Sequence, residues 1–576
     1  MSSYNKFPSM TIKGHENACI KGYDSILDEI KNKINKDKFT LCVETYPGVN
    51  DEEVLGQFNN LGPTLVINMI NIFKSEESIT EQMKYNLTDD RVFGKMYYGD
   101  VIDFIDLELL EKAKKDVENH NGLVLIYGFG ATLVSMGDLI VYADMARWEI
   151  QMRYRKGLPN YKANNPSEDT LRKYKRAFFI EWRIADKHKI TLFNKIDYVL
   201  DTNKENDPKL ITSETFIEGL TQMSNQPFRT VPYFDPGVWG GQWMKEVCDL
   251  DREQTNFAWS FDGVPEENSI YFNFNGTIFE IPAMDLVLYR PKELLGAKVF
   301  SRFGAEFPIR FDFLDTIGGQ NLSLQVHPLT EYMHRQFGMA YTQDESYYIL
   351  DAKEGADVYL GLKDNVNKEE MIDDLRKSAT GEITFDADKY VNRFPAKKHD
   401  HFLIPAGTIH CSAENTMVLE ISATPYIFTF KLWDWGRLGL DGLPRPVHIE
   451  HGKEVIQWDR TTKWCQEQLV NAITKIDNPE CVEEKTGLHE LEFIETRRYW
   501  FDDLTNHDTK GTLNVLNLIE GEQIVIESVN NSFDPFYINY AETFIIPSTV
   551  GKYTIRPTKK GDKVAVLKAY VRDTFN

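Results

Sequence analysis

At 576 residues the chain is longer than one hydrophobic core sustains, and about two to four domains are expected. A hydrophobic fraction of 42%, a charged fraction of 27% and a net charge of -23 describe a soluble globular protein whose surface repels nucleic acid and anionic membranes, though a local metal or basic pocket can still hold a small phosphorylated substrate. The cysteines Cys19, Cys42, Cys248, Cys411, Cys465 and Cys481 form no C-x-x-C pair, which argues against a disulfide scaffold and a thiolate zinc finger and fits a reducing compartment.

The first 25 residues lack the apolar core of a signal peptide, and no run of about 18 apolar residues follows, so a cytoplasmic location is expected. From about 25 to 220, apolar runs alternate with longer polar segments. The runs 39–46, 63–70, 122–129, 138–145 and 196–201 read as buried strands, and 171–188 reads as one of the intervening helices. That alternation predicts an α/β domain over 1–225 with a parallel sheet covered on both faces. A basic helix beginning near Met145 ends at a glycine, a normal stop signal.

Beyond about 230 the strand-like pieces become short and are broken by Gly, Pro, Asn and Asp, which predicts an antiparallel sandwich or barrel. Helical interruptions are expected at 367–379 and 452–475. A second β-rich stretch follows 485, and TFIIPSTVGKYTI (543–555) echoes HFLIPAGTIH (401–410). Two related β units explain the echo. The later stretch has no histidine, so it predicts a structural repeat without a second metal. The expected limits are 226–455 for a metal-binding β domain, and 456–576 for a helical segment with a metal-free β domain.

Three segments carry the chemistry. In NLSLQVHP, strand alternation points Ser323, Gln325 and His327 to one face. Glu345 opens a strand in DESYYIL, and the Pro405-Ala406-Gly407 turn leads to His410. Two imidazoles, one carboxylate and one amide oxygen fill a zinc shell and leave room for water or substrate. With a single anionic ligand the centre stays positive, which suits an oxyanion.

The pieces VWGG, FPIRFDFLD, LSLQVHP, ESYYIL, IPAGTIH, VLEIS and WDWGRLGLDGLPRPVHIE, in this order between 235 and 575, resemble class I mannose-6-phosphate isomerases of the cupin superfamily. The resemblance implies a jelly-roll domain pair with helical insertions, and one zinc ion held by Gln325, His327, Glu345 and His410. It further implies that Ser323 lies near the substrate phosphate and that Glu420 is an active-site carboxylate, here the candidate for proton transfer. Lys431 stands where the family has an arginine, and serves as a catalytic-site cation. Arg437 and Arg445 either clamp phosphate in a forked pair or pin a loop. Gln343 and Asp312 replace lysines common in the family.

The first domain resembles the uridine kinase and phosphoribulokinase group of P-loop proteins in NIFKSEESITE, LTDDRVFGK and KRAFFIEWRIADKHK. Its phosphate loop does not match: the first strand runs into ETYPGVNDEE, and Glu44, Asp51, Glu52 and Glu53 stand where G-x-x-x-x-G-K-[ST] would cradle phosphate. A degenerate kinase-like domain is therefore expected. Arg147, Arg153, Arg155, Lys156, Arg172 and Arg176 form either a residual anion pocket or a solvated helical face. The function that the resemblance of 235–575 implies is a zinc-dependent interconversion of mannose 6-phosphate and fructose 6-phosphate. A different phosphorylated sugar, or a non-catalytic sugar-phosphate sensor, is the alternative.

Overall fold

Every residue of the strand Phe39–Thr45 is buried, as expected of a central parallel strand with helices on both faces. The computed structural model describes residues 3–425 and 427–572. Parallel partners flank Phe39–Thr45: Leu123–Gly128 and then Leu65–Asn68 on one side, Leu139–Asp144 and then Tyr198–Asp201 on the other. Lys209–Thr212 and Ile20–Lys21 extend the edge antiparallel. All five apolar runs of the sequence therefore hold strands of one sheet. The helix expected over 171–188 contains a wider π turn at Ala177–Glu181, between Thr170–Arg176 and Trp182–Ile190.

The chain divides into two compact units. One comprises Ser9–Met223 and Glu266–Arg290; the other comprises Met1–Pro8, Ser224–Pro265 and Pro291–Asn576. Residues 266–290, expected in the β half, thus belong with the α/β sheet. Their hairpin Ser269–Phe274 and Thr277–Pro282 pairs in parallel with Met10–Thr11. Two contacts explain the placement. The ring of Phe272 lies where a side chain at Gly219 would collide with it, and Asp285 meets the buried Lys189 ammonium at 2.7 Å.

The other unit contains two antiparallel sandwiches. In the first, a six-stranded sheet runs His401–Ile404, Glu345–Ala352, Thr416–Ala423, Ile309–Asp315, Trp259–Gly263, Tyr233–Asp235. It faces a five-stranded sheet of Val391–Pro395, Asp357–Leu362, His410–Ser412, Leu324–Val326, Phe430–Trp433. The second sandwich pairs a six-stranded sheet containing Ile494–Phe501, Val564–Val571, Asn514–Glu520 and Thr543–Ile546 with a four-stranded sheet of Thr505–Asp508, Lys552–Pro557, Gln523–Ser528 and Phe536–Asn539. The echo has a structural meaning. HFLIPAGTIH and TFIIPSTVGKYTI each carry the chain from the six-stranded sheet to the opposing sheet of their own sandwich.

His401 begins the first of these crossings and is wholly buried. One ring nitrogen lies 2.9 Å from Ser346 Oγ, and Tyr348 packs edge-on at 5.4 Å. Burial, reinforced by Arg498, depresses its pKa to about 3. In the unfolded chain the ring takes up a proton as pH falls below 6.5, whereas in the folded chain it does not, so acid favours unfolding. Between pH 7.5 and 5.0, denaturant titration should show the wild type losing about 2 kcal/mol more stability than His401→Asn. Equal losses would show that His401 is not the group responsible.

Candidate metal centre

The two sheets of the first sandwich bring the sequence-predicted ligands together. On the five-stranded sheet Gln325 sits directly opposite His410 on one side and Lys431 on the other. On the facing sheet Glu345 lies between Ile404 and Ser422. His327 Nε2 is 3.1 Å from Glu345 Oε2, and His410 Nε2 is 2.7 Å from Oε1. The Gln325 amide lies 3.3 Å from His410 Nε2. His327, Glu345 and His410 have no exposed surface, and one donor atom from each falls within 4.8 Å of the others.

The remaining ring nitrogens explain why the Nε2 atoms face inward. His410 Nδ1 lies 2.9 Å from the Thr408 carbonyl and His327 Nδ1 3.2 Å from that of Phe428. A carbonyl only accepts, so each Nδ1 donates and each Nε2 keeps its lone pair. Yet His327 Nε2 and Glu345 Oε1 are buried without a well-directed hydrogen bond. Buried polar atoms left this way are costly unless another group satisfies them. Two imidazoles, a carboxylate and a neighbouring amide are a donor set suited to a divalent metal.

Beside this cluster lies a second set of charges. Asp312, Glu420 and Tyr347 occupy one cross-strand row. Arg310, two residues before Asp312, reaches Glu420 Oε1 at 2.8 Å and Asp312 Oδ1 at 3.0 Å. Gln343 Nε2 bridges Glu345 at 3.0 Å and Glu420 at 3.3 Å. Burial raises Asp312 to about 6 against the pull of Arg310. Burial, with Asp312 and Glu345 nearby, lifts Glu420 well above the ordinary range, and Arg310 offsets part of that rise. The sequence reading did not single out Arg310. The signal was present in FPIRFDFLD, where alternation sets Arg310 and Asp312 on the same face.

The other candidates divide into two groups. Ser323 is buried just ahead of the strand that carries Gln325, and Lys431 is half-buried beside Gln325. Arg437 and Arg445 instead converge on Asp434. Arg437 pairs with one carboxylate oxygen and donates to the Asn321 carbonyl at 2.7 Å, and Arg445 Nε lies 2.5 Å from the other oxygen. Of the two roles open to these arginines, this is the loop-pinning arrangement.

In the α/β unit the acidic loop is engaged internally. Glu44 is fully buried and accepts from the Gly130 amide, the Thr132 amide at 2.9 Å and the Thr132 hydroxyl at 2.8 Å. Asn50 caps the next helix, whose first turn holds Asp51, Glu52 and Glu53. The basic residues correct the expectation of one solvated face. Arg147, Arg153 and Arg176 are buried. Arg147 pairs with Asp186 and, at 2.8 Å, with Glu266; Arg176 pairs with Glu181 at 2.7 Å. Arg153 donates to the carbonyls of Gly48, Thr202 and Asn203. Their guanidiniums are therefore structural cations, whereas Arg155, Lys156 and Arg172 remain exposed.

Residues 22–225 match a family described as Domain of unknown function (DUF8485). That description names no activity and lends no support to the kinase-like expectation. The chain is 26% identical over 239 residues to the mannose-6-phosphate isomerase ManA of Bacillus subtilis (strain 168), covering 41% of this chain and 69% of that protein. It is 25% identical over 342 residues to the probable mannose-6-phosphate isomerase GmuF of the same organism, covering 58% of this chain and 96% of that protein. Among solved structures, the mannose 6-phosphate isomerase from Bacillus subtilis aligns with a TM-score of 0.49 at 17% identity, over 60% of this chain and 100% of that one. The chain is thus similar to mannose-6-phosphate isomerases at low identity, and it carries a His-Glu-His cluster compatible with a metal site.

Proposed function

We propose that this centre binds one zinc ion and interconverts mannose 6-phosphate and fructose 6-phosphate by proton transfer through a cis-enediol(ate). The observation that carries the reading is the convergence of His327 Nε2, His410 Nε2 and the Glu345 carboxylate on one buried point, beside the buried Glu420. Gln325, His327, Glu345 and His410 would hold the ion, which supplies polarisation of the sugar carbonyl and charge stabilisation for the developing oxyanion. Glu420 carries the proton between C2 and C1. Arg310 and Gln343 hold its carboxylate in place, and their hydrogen bonds fix the direction from which it approaches substrate. Lys431 and Ser323, on the Gln325 side, bind the phosphate group, with Lys431 acting as a point charge.

Gln343 and Asp312 support a second reading, a different phosphorylated sugar or a sugar-phosphate sensor, because each replaces a cation with a group that cannot attract phosphate. The engagement of Arg437 and Arg445 by Asp434 points the same way. For the α/β unit we infer a kinase-like relative whose phosphate loop has become a structural acidic loop built on Glu44.

A coupled assay of the zinc-loaded protein with mannose 6-phosphate, run beside Glu420→Gln, tests the isomerase. The wild type should turn over and exchange the C2 proton with deuterated water. Glu420→Gln should retain zinc and lose about 10²–10⁴-fold in kcat. Bound zinc without turnover or exchange would remove the mannose 6-phosphate assignment and leave another phosphorylated sugar or the sensor.

A further inference from the structure

The second sandwich carries a cavity at the place in its fold where the first carries the candidate metal centre. Register establishes the correspondence. Thr416–Ala423 lies between Ile309–Asp315 and Glu345–Ala352, as Val564–Val571 lies between Ile494–Phe501 and Asn514–Glu520. In the echoed motif Ile404 pairs with Glu345, and Ile546 pairs with Asn514. Two residues further along these strands, Tyr347 is opposite Glu420, and Leu516 is opposite Lys568. On the other side Glu420 faces Asp312, and Lys568 faces Arg497. Asn514 therefore stands where Glu345 stands, Lys568 where Glu420 stands, and Arg497 where Asp312 stands.

The substitutions reverse the polarity of the site. A ligand carboxylate becomes an amide, and both flanking carboxylates become cations. Among the described residues no His/Cys/Asp/Glu group there is arranged to hold a metal ion, yet the space persists as a cavity of about 1420 Å³ whose walls include Asn514, Lys568, Arg497, Tyr499, His507 and Tyr570. Cationic side chains outnumber acidic ones along it, in a chain whose net charge is -23. A space of this size accommodates a metabolite-sized ligand.

Lys568 is the decisive residue. It is only 6% exposed, and among the described residues its ammonium makes no hydrogen bond or ion pair. Its close neighbours are the ring faces of Tyr499 at 4.8 Å and Tyr570 at 5.9 Å. Of the neighbouring acids, Glu483 and Glu495 pair with Arg497 at 2.6 Å and 2.8 Å, and Asp508 accepts from the Lys510 amide. His507 supplies no negative charge: its ring stacks on Tyr553, and burial, with Lys568 nearby, keeps it neutral. Burial lowers the Lys568 pKa to about 8, and the more distant pull of Glu483 and Asp508 offsets only part of that fall. A buried ammonium without a paired carboxylate is costly to keep, and an anionic ligand is what would offset that cost.

We propose that this cavity binds a small oxyanion-bearing metabolite, a phosphate monoester or a carboxylate, with Lys568 as its charged anchor. Titration calorimetry on the full-length protein, freed of metal by chelation, tests this with inorganic phosphate and with malonate as separate probes. At least one anion should saturate a single site, and which one titrates identifies the headgroup. Lys568→Met should weaken that binding about tenfold or more, whereas His327→Ala should leave it unchanged. Absence of saturable binding by either anion, or binding that Lys568→Met does not weaken, would overturn the proposal.

A measurement on the wild type covers the case in which the variant fails to fold. Amine acylation followed by mass spectrometry should show the bound anion slowing modification of Lys568 while exposed Lys463 reacts as before. Modification of Lys568 at the same rate with and without anion would also overturn it.

Discussion

His327→Ala should leave the protein unable to retain zinc through dialysis and lower isomerase turnover by about a thousandfold or more. The size follows from how few donors the centre has. Of the four proposed ligands Glu345 is the one anion, and the two inward Nε2 atoms would supply the rest of the strong ligation. The Nδ1 contacts to the Phe428 and Thr408 carbonyls preset both rings, so the wild-type site loses little entropy on binding. Alanine at 327 removes one preset donor and leaves the Phe428 carbonyl without the ring N–H. Glu345 then shares the cation with one imidazole instead of two, so the ion is held less tightly. Metal analysis after dialysis and steady-state kinetics form the test, with Glu420→Gln as the control that keeps metal and loses turnover. A His327→Ala protein that retains stoichiometric zinc and full activity would place the metal, and the chemistry, elsewhere.

The parts of this site visible in the sequence depend on short-range geometry. Gln325 and His327 share a face because strands alternate, and His410 follows a turn that requires glycine. Gly407 has φ +88°, and a side chain there would collide with the Val455 carbonyl. The five parallel strands were legible for the same kind of reason, since apolar runs of strand length have few other uses in an α/β domain. What was not legible depends on partners distant in the chain. Arg147 reads as one charge of a basic helix, and only folding brings Asp186 and Glu266 to it. The hairpin at 269–282 has the strand pattern of its neighbours, and nothing local says that Phe272 packs over Gly219. Arg310 was hidden differently. The expected lysines drew attention to Asp312 and Gln343, while the cation that faces Glu420 lay one strand repeat earlier.

That cation gives the second large effect. Arg310 is buried together with Asp312 and Glu420, and its guanidinium donates to both carboxylates of the row they share. Arg310→Met should destabilise the fold by about 3–5 kcal/mol, the usual cost of stranding buried charge. It should also act on catalysis through Glu420. Burial and Asp312 already raise that carboxyl, and Arg310 is the charge pulling it back, helped by a Ser422 hydrogen bond, so its loss moves the Glu420 pKa higher still. A base must be deprotonated to work, so the acid limb of the kcat profile should move to higher pH, with activity at pH 7 falling and partly recovering in alkali. Arg310→Met combined with Asp312→Leu separates the two consequences. Removing the facing carboxylate restores part of the lost stability by eliminating the like-charge contact, and it draws the acid limb back toward the wild-type position. Urea unfolding and pH–rate profiles of the three proteins decide the matter. A single variant as stable as wild type with an unmoved acid limb would show that Arg310 does not hold Glu420 in its working state.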